Sequence, residues 1–277
     1  MPNRTDPTVI TPAVLRDWPL PDPSGGKQSR GTVLVVGGSK YNPGAVLLAG
    51  EAALRAGSGR LQLAVAEETA VAMSIAVPEA KVIGLPDADE LARLAQAADV
   101  IALGPGLDDI DTTTKLMRTV LEAAGEGTSV VLDAYALGAL SKDAGLLRQR
   151  RAVLTPNFTE AEHLLGRPPG DDPSDTAAEL AERYQAVVSL FSHVAAPDGR
   201  RWVEQSGDAG LGTSGSGDTL AGIVAGLLGR GAEPAQAACW GAYAHAVSGQ
   251  RLMRRHGRTG FLARELVDEV AGTIATV

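Results

Sequence analysis

Short, wholly apolar runs recur along this chain, and each gives way to a stretch with helical spacing. Residues 31–36 (Gly-Thr-Val-Leu-Val-Val) and 99–103 (Asp-Val-Ile-Ala-Leu) present almost no polar face, so they read as strands covered on both sides. Strands are also expected at 60–65, 81–84, 129–132 and 152–154, with helices at about 45–55, 91–97, 112–124, 159–165 and 176–184. Three β-like pieces follow at 186–190, 193–196 and 201–204, and Pro197-Asp-Gly199 turns the chain between the last two. Helices near 219–228, 234–255 and 263–274 close the chain. Strands alternating with helices predict an α/β fold, a doubly wound, mostly parallel central sheet with helices on both faces and an antiparallel hairpin at 193–204. Residues 1–30, rich in proline and turn formers, read as an N-terminal arm with one short helix near 11–17. Residues 31–277 read as one domain.

A body of 277 residues buries enough surface to fold without disulfides or a structural metal. Cys239, the single cysteine, lies in an Ala-rich helical stretch and reads as a small buried hydrophobe. Lys plus Arg (25) against Asp plus Glu (33) leaves a net charge of −8, which argues against nucleic acid as a partner. No basic-then-apolar leader opens the sequence and no apolar run is long enough to span a bilayer, so a cytoplasmic protein without membrane contact is expected.

Against this regular background residues 207–218, Gly-Asp-Ala-Gly-Leu-Gly-Thr-Ser-Gly-Ser-Gly-Asp, stand out. Five glycines in twelve residues make a poor strand and a worse helix, whereas the residues that follow are small, apolar and helically spaced. The run therefore reads as a loop feeding a helix N-terminus, where unpartnered backbone N–H groups and the positive end of the dipole attract an anion. Asp218 at that mouth is electrostatically wasteful beside a phosphate unless it removes a proton from an attacking hydroxyl. The alternative is that Ser216 or Asp218 merely caps the helix.

In doubly wound sheets ligands bind outside the carboxyl ends of the strands, and the unusual residues all follow strands. They are Gly37-Gly38-Ser39, Gly104-Pro-Gly106, Asp133, Asn157 with Glu160, and the loop before Asp218. Asn157 and Glu160, three residues apart on a starting helix, suit a Mg²⁺ ion held through water or a simple helix cap. Asp133 either orients a metal-bound water or ends its strand. The loop at 37–44 lacks the Gly-x-Gly-x-x-Gly spacing of a dinucleotide fingerprint. His163, His193, His245 and His256 have no metal-site spacing and read as structural, and the basic run 251–258 reads as a solvated helix end.

Taken together, these pieces resemble the ADP/ATP-dependent NAD(P)H-hydrate dehydratases of the ribokinase-like superfamily over nearly the whole chain. The most specific stretch is Val36-Gly-Gly-Ser-Lys-Tyr-Asn-Pro-Gly-Ala-Val-Leu-Leu-Ala-Gly-Glu-Ala-Ala-Leu-Arg-Ala-Gly-Ser-Gly59, followed by Gly104-Pro-Gly-Leu107 and the run 207–218. The resemblance implies a hydro-lyase that repairs hydrated NAD(P)H. Asp218 would take the proton of the C6 hydroxyl as it attacks the terminal phosphate of ADP or ATP, and the amides of Gly215, Ser216 and Gly217 would stabilise the developing charge. It implies Ala45, Gly106, Asn157 and Asp218 on the hydrate, and Gly217, Ser192 and His193 on the nucleotide. Mg²⁺ near Glu160 and Asn157 and a homo-oligomer, a tetramer by family habit, belong to the same expectation.

Three positions depart from the family pattern. Asn157 stands where histidine is usual, Leu190-Phe-Ser-His193 replaces a Lys-Gly-x segment that wraps the nucleotide, and Asp133-Ala-Tyr-Ala-Leu137 replaces Asp-Ala-Asp-Ala-Leu. Two rival readings stay open on sequence alone. One is a kinase of the same fold acting on a pyridoxal- or hydroxymethylpyrimidine-type alcohol, the other a nucleotide-binding relative without turnover.

Overall fold

A computed structural model of the chain describes residues 6–277 apart from positions 23, 86, 148 and 149. In order the elements are β1 (Thr8–Val9), α1 (Pro12–Arg16), α2 (Gly26–Ser29), β2 (Thr32–Val36), α3 (Gly44–Arg55), β3 (Arg60–Ala66), α4 (Ala70–Ala76), β4 (Ala80–Leu85), α5 (Ala88–Ala97) and β5 (Val100–Leu103). Then come α6 (Ile110–Ala123), β6 (Ser129–Leu132), α7 (Tyr135–Lys142), β7 (Ala152–Leu154), α8 (Phe158–Leu165), α9 (Pro173–Tyr184), β8 (Val187–Leu190), β9 (His193–Ala195) and β10 (Arg201–Val203). Three long helices finish the chain, α10 (Ser216–Gly229), α11 (Pro234–His256) and α12 (Ala263–Ile274).

The strands form one ten-stranded sheet in the order β1-β10-β9-β8-β7-β6-β5-β2-β3-β4. Only β9 runs against its neighbours β8 and β10; the other pairs are parallel. Every residue of β2, β5, β6, β7 and β8 is buried, as two-sided coverage demands of uninterrupted apolar strands. Along β2 the side chains alternate: Val33 and Val35 join the core under α3, α10 and α11, while Leu34 and Val36 join the core under α5 to α9. The fold class read from the sequence, including the hairpin, is the one observed.

Three helices absent from the sequence reading, α2, α4 and α7, lack a start signal. None has a side-chain cap, and α7 opens from Ala134 held at φ +49°. The arm joins the body more closely than its composition suggests. β1 extends the sheet beside β10, the Ile10 amide bonds to Val203 O at 2.8 Å, and Trp18 stacks on Trp202 with ring centroids 5.8 Å apart.

The contact that positions the site is between α3 and α10. A Cβ on Gly222 would lie 2.2 Å from Ala49 O, and one on Gly226 2.3 Å from Ala53 O. The two backbones therefore touch, and the matched numbering shows that they run the same way. Both helix N-termini consequently arrive at the same end of the sheet, with the positive ends of both dipoles facing one space.

Candidate active site

Beyond β2 the chain returns to one side of the sheet, and beyond β5 to the other. The crevice between them is the switch point at which such sheets bind ligands. There the loops after the two strands are laced by backbone hydrogen bonds, Gly38 N to Pro105 O at 2.8 Å and Ser39 N to Gly106 O at 2.7 Å. Gly106 adopts φ +70°, and a Cβ there would sit 2.4 Å from Asn42 O and 3.0 Å from the Ala45 methyl. Gly106 and Ala45 thus form one surface at the start of α3, as the family resemblance implies for a substrate contact.

Opposite lies the glycine loop. Helix α10 begins at Ser216, three residues earlier than the spacing predicts, so Asp218 falls inside its first turn. Gly215, at φ +87°, is the N-cap and no side chain caps the helix. The capping alternative for Ser216 and Asp218 is therefore overturned: a left-handed residue is needed there, and glycine supplies it at no steric cost. The Ser216 amide bonds to Thr213 O at 3.2 Å, so of the three amides expected to meet an anion this one is already shared. Gly217 is exposed.

Three carboxyl groups share the space in front of the loop. Asp133, at the end of β6, is only 6% exposed and accepts a 2.8 Å hydrogen bond from Thr155 Oγ1. Burial, then the charges of Glu160 and Asp218, push its pKa up to about 8. Asp218 is pushed up to about 6, by burial first and the Glu160 charge second. Burial also raises Glu160. Glu160 and Asn157 form the capping box of α8, with the Asn157 amide donating to Glu160 Oε2 and the Glu160 amide to Asn157 Oδ1, both at 2.9 Å. The capping alternative for that pair is realised, and the geometry still leaves Glu160 within electrostatic reach of both aspartates. Among the described residues no three His, Cys, Asp or Glu side chains cluster closely enough to hold a metal directly.

A cleft of about 1050 Å³ opens beside the loop, lined among others by Asn157, Phe191, Ser192, Glu204, Ser216 and Gly217. A cavity of this size beside a helix N-terminus suits a nucleotide.

The family model for NAD(P)H-hydrate dehydratase matches residues 33–271, a span that takes in both laced loops and the glycine loop. The chain belongs to the NAD(P)H-hydrate dehydratase family. It is 44% identical to the ADP-dependent (S)-NAD(P)H-hydrate dehydratase of Xanthomonas campestris over 98% of each chain. It is 37% identical to the bifunctional NAD(P)H-hydrate repair enzyme of Moorella thermoacetica, but spans only about half of that protein (52%). The ADP/ATP-dependent NAD(P)H-hydrate dehydratase of Bacillus subtilis, co-crystallised with ATP and Mg²⁺, superposes with a TM-score of 0.86 at 29% identity, covering 98% of this chain and 99% of that one. The ribokinase-like fold expected from the sequence is likewise shared with solved members of that superfamily.

Within this dehydratase-family chain the expected site residues divide into groups. Ala45 and Gly106 meet at the start of α3, and Asp218 stands in the first turn of α10. Asn157, Ser192, Ser216 and Gly217 line the nucleotide-sized cleft. His193 is not among its lining residues. Its ring lies 3.4 Å from Ser192 Oγ, and burial lowers its pKa against the opposing charge of Asp172.

Three features escaped the sequence reading. Phe191, within the Leu190–His193 segment, is 58% exposed at φ +52° and stacks on Phe158 with centroids 4.4 Å apart. His245 bonds to Ser216. Glu204, 2% exposed, accepts hydrogen bonds from the amides of Ser206 (2.8 and 2.9 Å) and Gly207 (3.0 Å), anchoring the root of the glycine loop. An acid directly after a short strand and before a glycine run was the available signal. Glu204→Ala strips these amides of their acceptor, so a loss of about 1–3 kcal/mol is expected in denaturant unfolding, together with weaker nucleotide binding.

Proposed function

We propose that this chain returns (6S)-NAD(P)H hydrate to NAD(P)H at the expense of ADP or ATP. The hydrate rests against Ala45 and Gly106 and the nucleotide fills the cleft, with its terminal phosphate at the N-terminus of α10. Asp218 accepts the proton of the C6 hydroxyl as that oxygen attacks phosphorus. The new O–P bond forms while the bond to the departing AMP or ADP breaks. Donation from the ring nitrogen then expels phosphate from C6, and loss of a C5 proton restores the dihydronicotinamide. The amides of Gly215, Ser216 and Gly217 and the two helix dipoles offset charge on the transferred group.

The observation that carries this reading is the position of Asp218. It is a carboxylate with no capping role, its pKa raised to about 6 by burial and Glu160, in the first turn of a helix whose N-cap is a glycine. A base poised slightly below neutral pH is matched to proton removal from an alcohol. Magnesium would neutralise nucleotide phosphate charge; Glu160 and Asn157, already committed to the capping box, fit a contact through water rather than direct ligation.

The test is to incubate the protein with NADH hydrate, Mg²⁺ and either ADP or ATP and to follow the reduced-nicotinamide absorbance. The band is expected to return in proportion to AMP or ADP released. Its failure to return, with phosphorylation of a pyridoxal- or hydroxymethylpyrimidine-type alcohol instead, overturns the reading.

A further inference from the structure

The mechanism above uses the backbone of Ser216 and makes no use of its side chain or of His245. Both residues line the cleft. His245 Nε2, on α11, lies 2.8 Å from Ser216 Oγ and 3.1 Å from Ser216 O. The carbonyl oxygen can only accept, so the second contact is attractive only if Nε2 carries the proton; a bare nitrogen there would oppose lone pair to lone pair. Burial pushes the His245 pKa down to about 4, so the ring is neutral and that single N–H is shared between the two Ser216 oxygens.

The consequence falls on the hydroxyl. Ser216 Oγ accepts from the ring, so its own proton is left to donate. Among the described residues Ser216 Oγ makes no other hydrogen bond, although Ser216 is only 4% exposed. A buried O–H without an acceptor is costly, and Ser216, the first residue of α10, lines the cleft. The Ser216 amide, meanwhile, is partly committed to Thr213 O.

The geometry points to Ser216 Oγ–H as a donor to the terminal phosphoryl group of the nucleotide, with His245 as the positioning residue that fixes the hydroxyl's orientation. This rests on the placement of nucleotide phosphates proposed above. The hydroxyl thus replaces the donor that the shared Ser216 amide only partly supplies, and His245 holds it oriented before the ligand arrives.

Calorimetry with ADP and with AMP separates the terminal phosphate from the rest of the nucleotide. Ser216→Ala is expected to weaken ADP about 10-fold, the scale of one hydrogen bond to a charged group, while AMP stays within about 2-fold. Ser216→Thr, which keeps the hydroxyl, recovers most of the loss. His245→Ala weakens ADP in the same selective way, and His245→Gln, whose amide N–H can reach the same oxygens, restores it in part. The double variant Ser216→Ala/His245→Ala binds ADP no worse than Ser216→Ala alone. An unchanged ADP-to-AMP ratio in Ser216→Ala, or losses that add in the double variant, overturns the proposal. Hydrate turnover by the unmodified chain is measured alongside. Its absence sinks the dehydratase reading while the ADP/AMP comparison still judges the hydroxyl.

Discussion

Asp218→Asn is expected to lower the rate of hydrate-dependent nucleotide cleavage by about 10³-fold, within the range that a lost general base produces, while ADP affinity stays within about 3-fold of the parent. The substitution keeps size and one oxygen but removes the capacity to accept the hydroxyl proton. It also removes a negative charge beside the phosphates, so binding is not expected to suffer. In the unsubstituted protein kcat should rise with pH through about 6, the value to which burial and Glu160 lift Asp218, and level off above it. Stability is expected to run the other way. Asp133 and Asp218 have folded-state pKa values of about 8 and about 6, above the ordinary aspartate value of 3.8. The folded chain therefore binds more protons than the unfolded one between these values, and its stability falls as pH rises from about 4 toward 8. Asp218→Asn should accordingly melt higher than the parent at pH 8, a result a purely structural aspartate would not give. A variant that retains full turnover removes the assigned base.

Gly222→Ala is the second large effect. Alanine in a helix is ordinarily favoured over glycine by up to about 1 kcal/mol. Here the added methyl would be built 2.2 Å from Ala49 O, a backbone atom, so α3 and α10 must separate. Overpacking of this kind costs about 1–3 kcal/mol and occasionally more, and a net loss of about 2 kcal/mol is expected in denaturant unfolding. The functional signature is separate from stability. Pushing α3 away moves Ala45 and the Gly106 surface relative to Asp218, so kcat/KM for the hydrate should fall more than nucleotide affinity. Gly170→Ala, where nothing lies within 4 Å of the new methyl, is the neutral control. Equal stability of the two variants would show that the α3–α10 contact does not set the spacing.

Much of this was legible because uninterrupted apolar runs leave a strand no choice but two-sided burial. Residues 31–36 and 99–103 located the central strands, and the glycine run located the helix N-terminus between them in space. The place of Asp218 at the start of α10 was legible for the same reason, since a glycine run ends where that helix begins. Glu204, Phe191 and His245 were not, since each draws its meaning from a partner far along the chain or across the sheet. His245 lies in an Ala-rich helix whose pattern says only that it is packed, and its bond to Ser216 spans 29 positions. Helix α7 was lost because its entry depends on Ala134 holding a positive φ, which no residue type there announces. The start of α10 was misjudged by three residues because glycine and serine weaken the helical pattern in its first turn.

The strand pair at Thr8–Val9 has a practical side. Trp18 O receives hydrogen bonds from Trp240 Nε1 and Gln236 Nε2, both at 3.0 Å, so the leading segment is bolted to α11 as well as to β10. Trimming a recombinant version to residue 31 would bare the outer rim of β10 and the indole of Trp202, an invitation to edge-to-edge association. Affinity tags are better carried at the other end of the polypeptide, or ahead of residue 6 on a flexible spacer, so that this seal can close.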